Sequence, residues 1–287
     1  MKERKTLRAM LNRKEVILTP AVFSPLTALI AQSIGFKAVH VAGSATGLQF
    51  GSSEPLITMT EMVAHAGSIV KAIKIPVVVD AGSGFGDPIN VVKCVKEFEF
   101  AGVSAIHIDD QVYPNRVHYL KGITRVCPLE EFLKKLRAAL KARTDPDFII
   151  IARTDARKAV GGTLEEAIKR CQAFVEVGAD AILTTIRDPK ELEILRRQVP
   201  NIPFAGNFDI RSAKLIKETG TAFVMPGSAP IFVACRAIID HYQNFMDTGE
   251  VTSTPELQEM RNKLEGLTSL SEYLEIEETS TEKDSSY

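Results

Sequence analysis

Short apolar, β-branched runs alternate with longer amphipathic segments along most of the chain. Eight runs read as strands: 16–21 (VILTPA), 37–42 (KAVHVA), 76–80 (PVVVD), 104–109 (SAIHID), 147–152 (DFIIIA), 180–184 (DAILT), 202–206 (IPFAG) and 222–226 (AFVMP). Helical periodicity fills the gaps, for example over 60–73, 88–101, 128–143, 163–177, 188–197 and 210–219. Strands that are apolar throughout, taken alternately with helices, predict a parallel sheet covered on both faces. Four times a glycine closes a helix and a strand follows at once: "GFKAVHV" from 35, "GVSAIHI" from 102, "GADAILT" from 178 and "GTAFVMP" from 220. Glycine accepts the left-handed conformation that ends a helix. Eight such β/α units predict a (β/α)8 TIM-type barrel, with a doubly wound open sheet as the rival. Past the eighth strand, helices are expected over 228–247, 255–265 and 269–277. The expected organisation is a barrel over 1–247, a C-terminal helical extension over 248–277 and a disordered polar tail over 278–287.

Composition narrows the partners. Lys plus Arg is 35 and Asp plus Glu is 36, Trp is absent, and aromatics are 7%. Neither a basic surface nor a stacking platform for nucleic acid is signalled, and no membrane partner is. Cys94, Cys127, Cys171 and Cys235 are far apart, with no CxxC pair. That argues against a zinc knuckle and a disulfide framework, and for a reducing, cytoplasmic setting. The segment "MKERKTLRAMLNRKEV" has no apolar run after its basic residues, unlike a signal peptide. No stretch approaches the roughly 20 apolar residues of a membrane span.

In a (β/α)8 barrel the chemistry sits at the C-terminal ends of the strands. Those ends carry Gly43 and Ser44; Asp80; Asp109, Asp110 and Gln111; Arg153, Thr154 and Asp155; Thr184 and Thr185; Asn207; and Pro226 with Ser228. The stretch "VVVDAGSGFGDP" has GxGxG spacing and no Lys-Ser/Thr pair, so it fits neither a dinucleotide fingerprint nor a phosphate loop. An oxygen-rich cation site at Asp80 and Asp109 suits it better, because Mg2+ takes one or two carboxylates and completes its shell with water and substrate. The bland alternative is a tight turn with a capping aspartate. Arg153 suits bidentate capture of a carboxylate, and its alternative is a salt bridge to Asp155 or Asp109. Backbone N–H groups at Gly43 and Ser44 could bind a second anionic group. His107 lies two residues before Asp109 and shares its face. It either orients ligands or is a hydrogen-bonded core histidine, and is placed behind the site; His40 is assigned nothing.

The segments "VAGSATGLQFG", "VVVDAGSGFG", "AIHIDDQVYPNR", "IIIARTDA", "GNFDI" and "VMPGSAP", with the tail "GLTSLSEYLEIEE", resemble landmarks of the isocitrate lyase/phosphoenolpyruvate mutase superfamily, in particular its 2-methylisocitrate lyase-like members. The resemblance covers nearly the whole chain. It implies a barrel whose eighth helix is exchanged between subunits of a homotetramer, a dimer of dimers. It also implies Mg2+ bound with a 2-oxo acid or its enolate, and cleavage or formation of a C–C or P–C bond beside that enolate. By the resemblance, Asp80 is the main metal-side carboxylate and Asp109 replaces the usual Glu. Arg153 holds the substrate, the Gly43 and Ser44 amides bind its carboxylate, and Asn207 and Pro226 line the far side. Glu54 stands where the family has a gating-loop aspartate.

The chain also departs from the family. Gly82 replaces the second aspartate of Asp-x-Asp on the third strand. In "NRVHYLKG", Asn115, Val117 and Tyr119 replace the lysine, cysteine and histidine of the lyase loop, and the mutase loop is not matched either. Three readings follow. The first is a Mg-dependent carbon–carbon lyase of a 2-hydroxy or 2-oxo di- or tricarboxylate, with His118 or Tyr119 as the substitute acid/base. The second is a P–C enzyme of phosphonopyruvate type, using Arg116 and Arg153. The third is a barrel that has lost catalysis and binds a ligand or partner.

Overall fold

A computed structural model describes residues 2–206, 221–250 and 253–280; Asn207 and the helix expected over 210–219 lie outside the described residues. The chain forms two compact units, Met1–Ile231 and Phe232–Tyr287.

The first unit holds one all-parallel sheet. Its strands are β1 (Ile17–Leu18), β2 (Ala21–Val22), β3 (Val39–Val41), β4 (Val77–Asp80), β5 (Ala105–Asp109), β6 (Ile149–Thr154), β7 (Ala181–Thr184), β8 (Phe204–Gly206) and β9 (Thr221–Val224). Their order is β1-β9-β8-β7-β6-β5-β4-β3-β2. Only Thr19 and Pro20 separate β1 from β2, so the two ends of that order meet and the sheet closes into a ring. The Thr19 N–H donates to the Val224 carbonyl and the His40 N–H to the Pro20 carbonyl, both at 2.9 Å. The expected eight strands are therefore found, the first in two halves.

Helices α1 (Lys2–Asn12), α2 (Pro25–Ile34), α3 (Gly43–Gln49), α4 (Met59–Ala72), α5 (Pro88–Phe100), α6 (Leu129–Ala142), α7 (Leu164–Val177) and α8 (Pro189–Gln198) accompany the strands. Alternation along each strand divides the core in two. Val77, Val79, Ile106, Ile108, Ile150 and Ala152 face outward under the helices. Val78, Ala105, Ile149, Ile151, Ala181 and Phe223 fill the barrel interior. Each fully buried aliphatic side chain contributes about 1.5–3 kcal/mol.

The N-terminal segment, left without an element above, is helix α1. Leu7, Met10 and Leu11 form its apolar face and join the interior cluster. Its buried Arg4 donates to the Val103 carbonyl at 2.8 Å, to Asp145 Oδ2 at 2.9 Å and to the Glu99 carbonyl.

The second unit holds most of α9 (Ala229–Thr248), then α10 (Pro255–Leu267) and α11 (Leu270–Ser280). Ile239, Tyr242, Phe245, Met260 and Tyr273 are exposed apolar side chains there. Residues 278–280, expected in the tail, continue α11, and 281–287 lie outside the described residues. Among the described residues no helix is long and apolar enough to cross a membrane.

Candidate active site

The barrel interior changes character along its axis. The inward positions of β5 run Ala105, His107, Asp109, those of β4 run Val78, Asp80, and those of β6 run Ile149, Ile151, Arg153. In register, Asp80 lies beside His107 and Asp109 beside Arg153. Apolar residues thus fill the lower layers, buried histidines the next, and charged groups the top.

The loop after β4 places Asp80. Gly82 and Gly84 have φ of +51° and +82°, the left-handed region that glycine adopts without strain. The Gly82 N–H donates to Asp80 Oδ1 at 2.9 Å, and its carbonyl accepts from the Asp109 N–H at 2.8 Å. The turn therefore clamps both carboxylate-bearing strand ends. At Gly84 a Cβ would lie 2.5 Å from Val91 Cγ2, so the loop lies directly on α5.

Arg153 realises the expected alternative of a salt bridge. Its Nε and Nη2 reach Asp155 Oδ1 and Oδ2 at 3.2 and 3.1 Å, and Nη1 reaches Asp80 Oδ2 at 3.5 Å. Asp155 also accepts from Gln111 Nε2 at 2.6 Å. Asp110 faces away from this cluster and accepts from Thr154 Oγ1, Asp155 N and Arg170 Nη1 at 2.6, 3.0 and 3.0 Å.

The carboxyls are driven apart in proton affinity. Burial would raise Asp80, but His107, the Arg153 guanidinium and the Gly82 amide hold it below the usual carboxylate range. Asp109 is pushed up to about 8 by burial, with the Asp155 and Asp80 charges adding to it against Arg153. Glu54 is pushed up to about 7 by burial and the Asp80 charge. His40 and His107 touch, Nε2 to Nε2, at 3.0 Å, and His107 Nδ1 lies 3.5 Å from Asp80 Oδ1. Burial holds His40 down to about 3 and lowers His107 as well, with the Asp80 carboxylate opposing it at His107.

Gly43 and Ser44 open α3, a short helix rather than a free turn, and Ser44 Oγ lies 2.5 Å from Ser228 Oγ. Glu54 lies against Gly43, where a Cβ would be 2.5 Å from Glu54 Oε1. Tyr119 Oη donates to Glu54 Oε2, tying the loop after β5 to the loop after α3. Gly43, Glu54, Met62, Asp80, Tyr113 and Asn115 line one small cleft of about 40 Å3. Arg116, His118 and Tyr119 line a neighbouring cleft with Gln111, and His118 and Arg116 are exposed. Pro226 is exposed.

The sequence reading missed Tyr113 and the Ser83–Asn115 contact, in which the serine hydroxyl donates to Asn115 Oδ1 at 2.7 Å. The two halves of that contact are 32 residues apart, and neither sits on a strand end. Asp155 was seen only as a possible partner of Arg153.

The donor set fits a hard divalent cation. Asp80, Asp109 and Glu54 are oxygen donors, and among the described residues the only hydrogen bond to Asp109's carboxyl comes from the Gln111 amide at 3.0 Å. A divalent charge would offset the burial and neighbouring carboxylate charge that raise the proton affinity of Asp109 and Glu54. Among the described residues no group of three His, Cys, Asp or Glu is placed to hold a metal ion. Mg2+ takes one or two carboxylates and fills its remaining positions with water and substrate oxygens.

Known proteins agree with this geometry. The family model described as phosphoenolpyruvate phosphomutase matches residues 7–246. A 2,3-dimethylmalate lyase of Eubacterium barkeri is 34% identical over 242 residues, covering 82% of this chain and 83% of that protein. An oxaloacetate decarboxylase of Chromohalobacter salexigens is 37% identical, covering 83% of each. A phosphonopyruvate hydrolase solved with oxalate and Mg2+ superposes with a TM-score of 0.86 at 26% identity, covering 98% of this chain and all of that one. Match and geometry together place the chain in the phosphoenolpyruvate mutase/isocitrate lyase superfamily, as an enzyme of its carbon–carbon lyase class.

Proposed function

We propose that the protein is a Mg2+-dependent lyase that cleaves a C–C bond in a 2-hydroxy or 2-oxo di- or tricarboxylate, by way of the enolate of the departing fragment. The observation that carries this is the trio at the top of the barrel: Asp80 ionised, Asp109 held protonated until a cation arrives, and Arg153 between them. Asp80 and Asp109 would hold the ion, which supplies Lewis-acid charge to the substrate oxygens. Asp155 engages Nε and Nη2 of Arg153, so Nη1 is the donor turned toward the substrate carboxylate or developing enolate. The first backbone N–H groups of α3, at Gly43 and Ser44, would donate to the second carboxylate, and Pro226 and Asn207 would complete the wall.

Tyr119 is favoured over His118 as acid/base. It contacts Glu54 on the cleft wall, and Glu54 exchanges protons near neutrality. A placed side chain of this kind supplies about 10²–10⁴-fold. The same reading extends to assembly: a homotetramer, built as a dimer of dimers, in which a second copy covers the apolar side chains of α9 to α11. Its compartment would be the cytoplasm, where Cys94, Cys127, Cys171 and Cys235 stay as thiols.

The test is calorimetric titration of oxalate, an enolate mimic, with and without Mg2+, on wild type and Asp80→Ala. Binding is expected only when both Mg2+ and Asp80 are present. Absence of binding in wild type, or binding indifferent to Mg2+, overturns the reading. Release of 2-oxo acid from 2,3-dimethylmalate, 2-methylisocitrate or oxaloacetate then names the substrate.

A further inference from the structure

Two buried histidines lie directly beneath Asp80, and nothing above gives His40 a role. His40 is 6% exposed and His107 1%. Their Nε2 atoms are 3.0 Å apart, with ring centroids at 5.2 Å and planes tilted by 42°. At that distance the two nitrogens share one proton: one ring donates and the other accepts.

Asp80 decides which. His107 Nδ1 faces Asp80 Oδ1 at 3.5 Å. A bare Nδ1 would set its lone pair against a carboxylate, whereas Nδ1–H presents a positive dipole to it. If Nδ1 of neutral His107 carries the proton, its Nε2 is bare and must accept, so His40 Nε2 is the donor. His40 Nδ1 is then bare; neither it nor His107 Nδ1 has a hydrogen-bond partner among the described residues, so the His107 N–H meets Asp80 as an electrostatic contact at 3.5 Å and not as a hydrogen bond. A buried acceptor left unpaired is more tolerable than a buried N–H left unpaired. The opposite arrangement would leave an unpaired N–H at His40 and a repulsive contact at Asp80. One arrangement therefore sets an attractive contact at Asp80 and leaves only a bare nitrogen at His40.

We propose that His40 and His107 are positioning residues: His40 fixes the Nδ1–H tautomer of His107, and that N–H orients the Asp80 carboxylate for a divalent cation. The tautomer assignment rests on the Nε2–Nε2 and Nδ1–Oδ1 contacts with one proton on each ring, and the cation clause rests on the function proposed above. Partners behind a metal-binding group typically change metal affinity 10- to 100-fold when removed.

The experiment has two arms. In the first, long-range 15N–1H NMR of the 15N-histidine-labelled full-length protein at neutral pH reads the ring nitrogens. Only five histidines are present, and His40→Gln and His107→Gln assign the signals. His107 should show a protonated Nδ1 and a bare Nε2, and His40 the reverse. A protonated Nε2 on His107, in a neutral or doubly protonated ring, overturns the proposal. In the second arm, Mg2+ alone is titrated calorimetrically. His107→Leu and His40→Leu should each weaken binding about 10-fold or more. His40→Gln, which keeps an N–H donor toward His107, should stay within about threefold of wild type. Equal Mg2+ affinity in a folded His40→Leu protein, checked by far-ultraviolet circular dichroism, overturns the positioning role. If wild type binds no Mg2+, the lyase reading and the cation clause fail together, and the tautomer assignment is decided by the first arm.

Discussion

Replacing Arg170 with methionine tests the scaffold under the site. Asp110 is fully buried and Arg170 nearly so, and their Oδ2–Nη1 distance is 3.0 Å. Arg170 also donates to the Cys127 carbonyl at 2.9 Å, and so joins α7 to the ends of β5 and β6. Methionine keeps the apolar stem and removes the only cation paired with Asp110 among the described residues. Breaking one side of a buried ion pair costs about 3–5 kcal/mol. Two neutral donors to Asp110 survive, from Thr154 and the Asp155 amide, each contributing about 1 kcal/mol. The lower end, about 3 kcal/mol, is therefore expected. The deficit must also depend on pH. Burial already raises the Asp110 pKa, so the native state takes up its proton before the unfolded chain does. Stability from this group is thus lost as pH rises from the unfolded value toward the folded one. Removing Arg170 lifts the folded value further, so the deficit should be largest at pH 8 and shrink toward pH 5. Urea unfolding followed by circular dichroism at both pH values, at one protein concentration, measures it. A loss under about 1 kcal/mol at both, or a deficit that grows on acidification, refutes the reasoning.

Two glycines beside Glu54 should behave differently. In Gly43→Ala the new Cβ meets only the Glu54 carboxylate end, which can swing away. Stability should change by less than about 1 kcal/mol, while turnover falls as the Tyr119 contact is lost. In Gly47→Ala the new Cβ would lie 2.5 Å from the Glu54 backbone N, which cannot move cheaply, and about 1–3 kcal/mol should be lost. Equal losses of stability in a denaturant series would contradict this. The Tyr119 hydrogen bond lowers the Glu54 pKa, so in Tyr119→Phe the limb of the pH–rate profile governed by Glu54 should move to higher pH. A limb that stays put would remove Glu54 and Tyr119 from the proton path.

The strands were legible because most of their positions are buried and apolar, with His40 and His107 as polar exceptions inside β3 and β5. Asp80, Asp109 and Arg153 stood out because each ends such a run. Helix α1 was hidden by its charges: Arg4 counts as surface in any pattern reading, yet it is buried on three hydrogen-bond acceptors, at Glu99 in α5, at Val103 and at Asp145. Helix α3, "GSATGLQ", is built from poor helix formers and holds through its surroundings. The pairing of Arg153 with Asp155 was visible as an alternative, two residues apart. The contact of Tyr119 with Glu54 spans 65 residues, and that of His40 with His107 spans 67; no local pattern encodes either.

The split first strand also bears on how the molecule assembles. Ile17 and Leu18 pair with Phe223 and Val224, joining opposite ends of the barrel sequence. Each half of this stave contributes only two paired residues, against five between β5 and β6. Contacts of such separation carry the largest loop-closure entropy and are rewarded last. The ring is thus expected to grow outward from β5 and β6 and to shut at this seam. The seam is the joint where the finished barrel has least holding it closed, and it sits beside Ser44 and Ser228, whose hydroxyls bridge the rim above it.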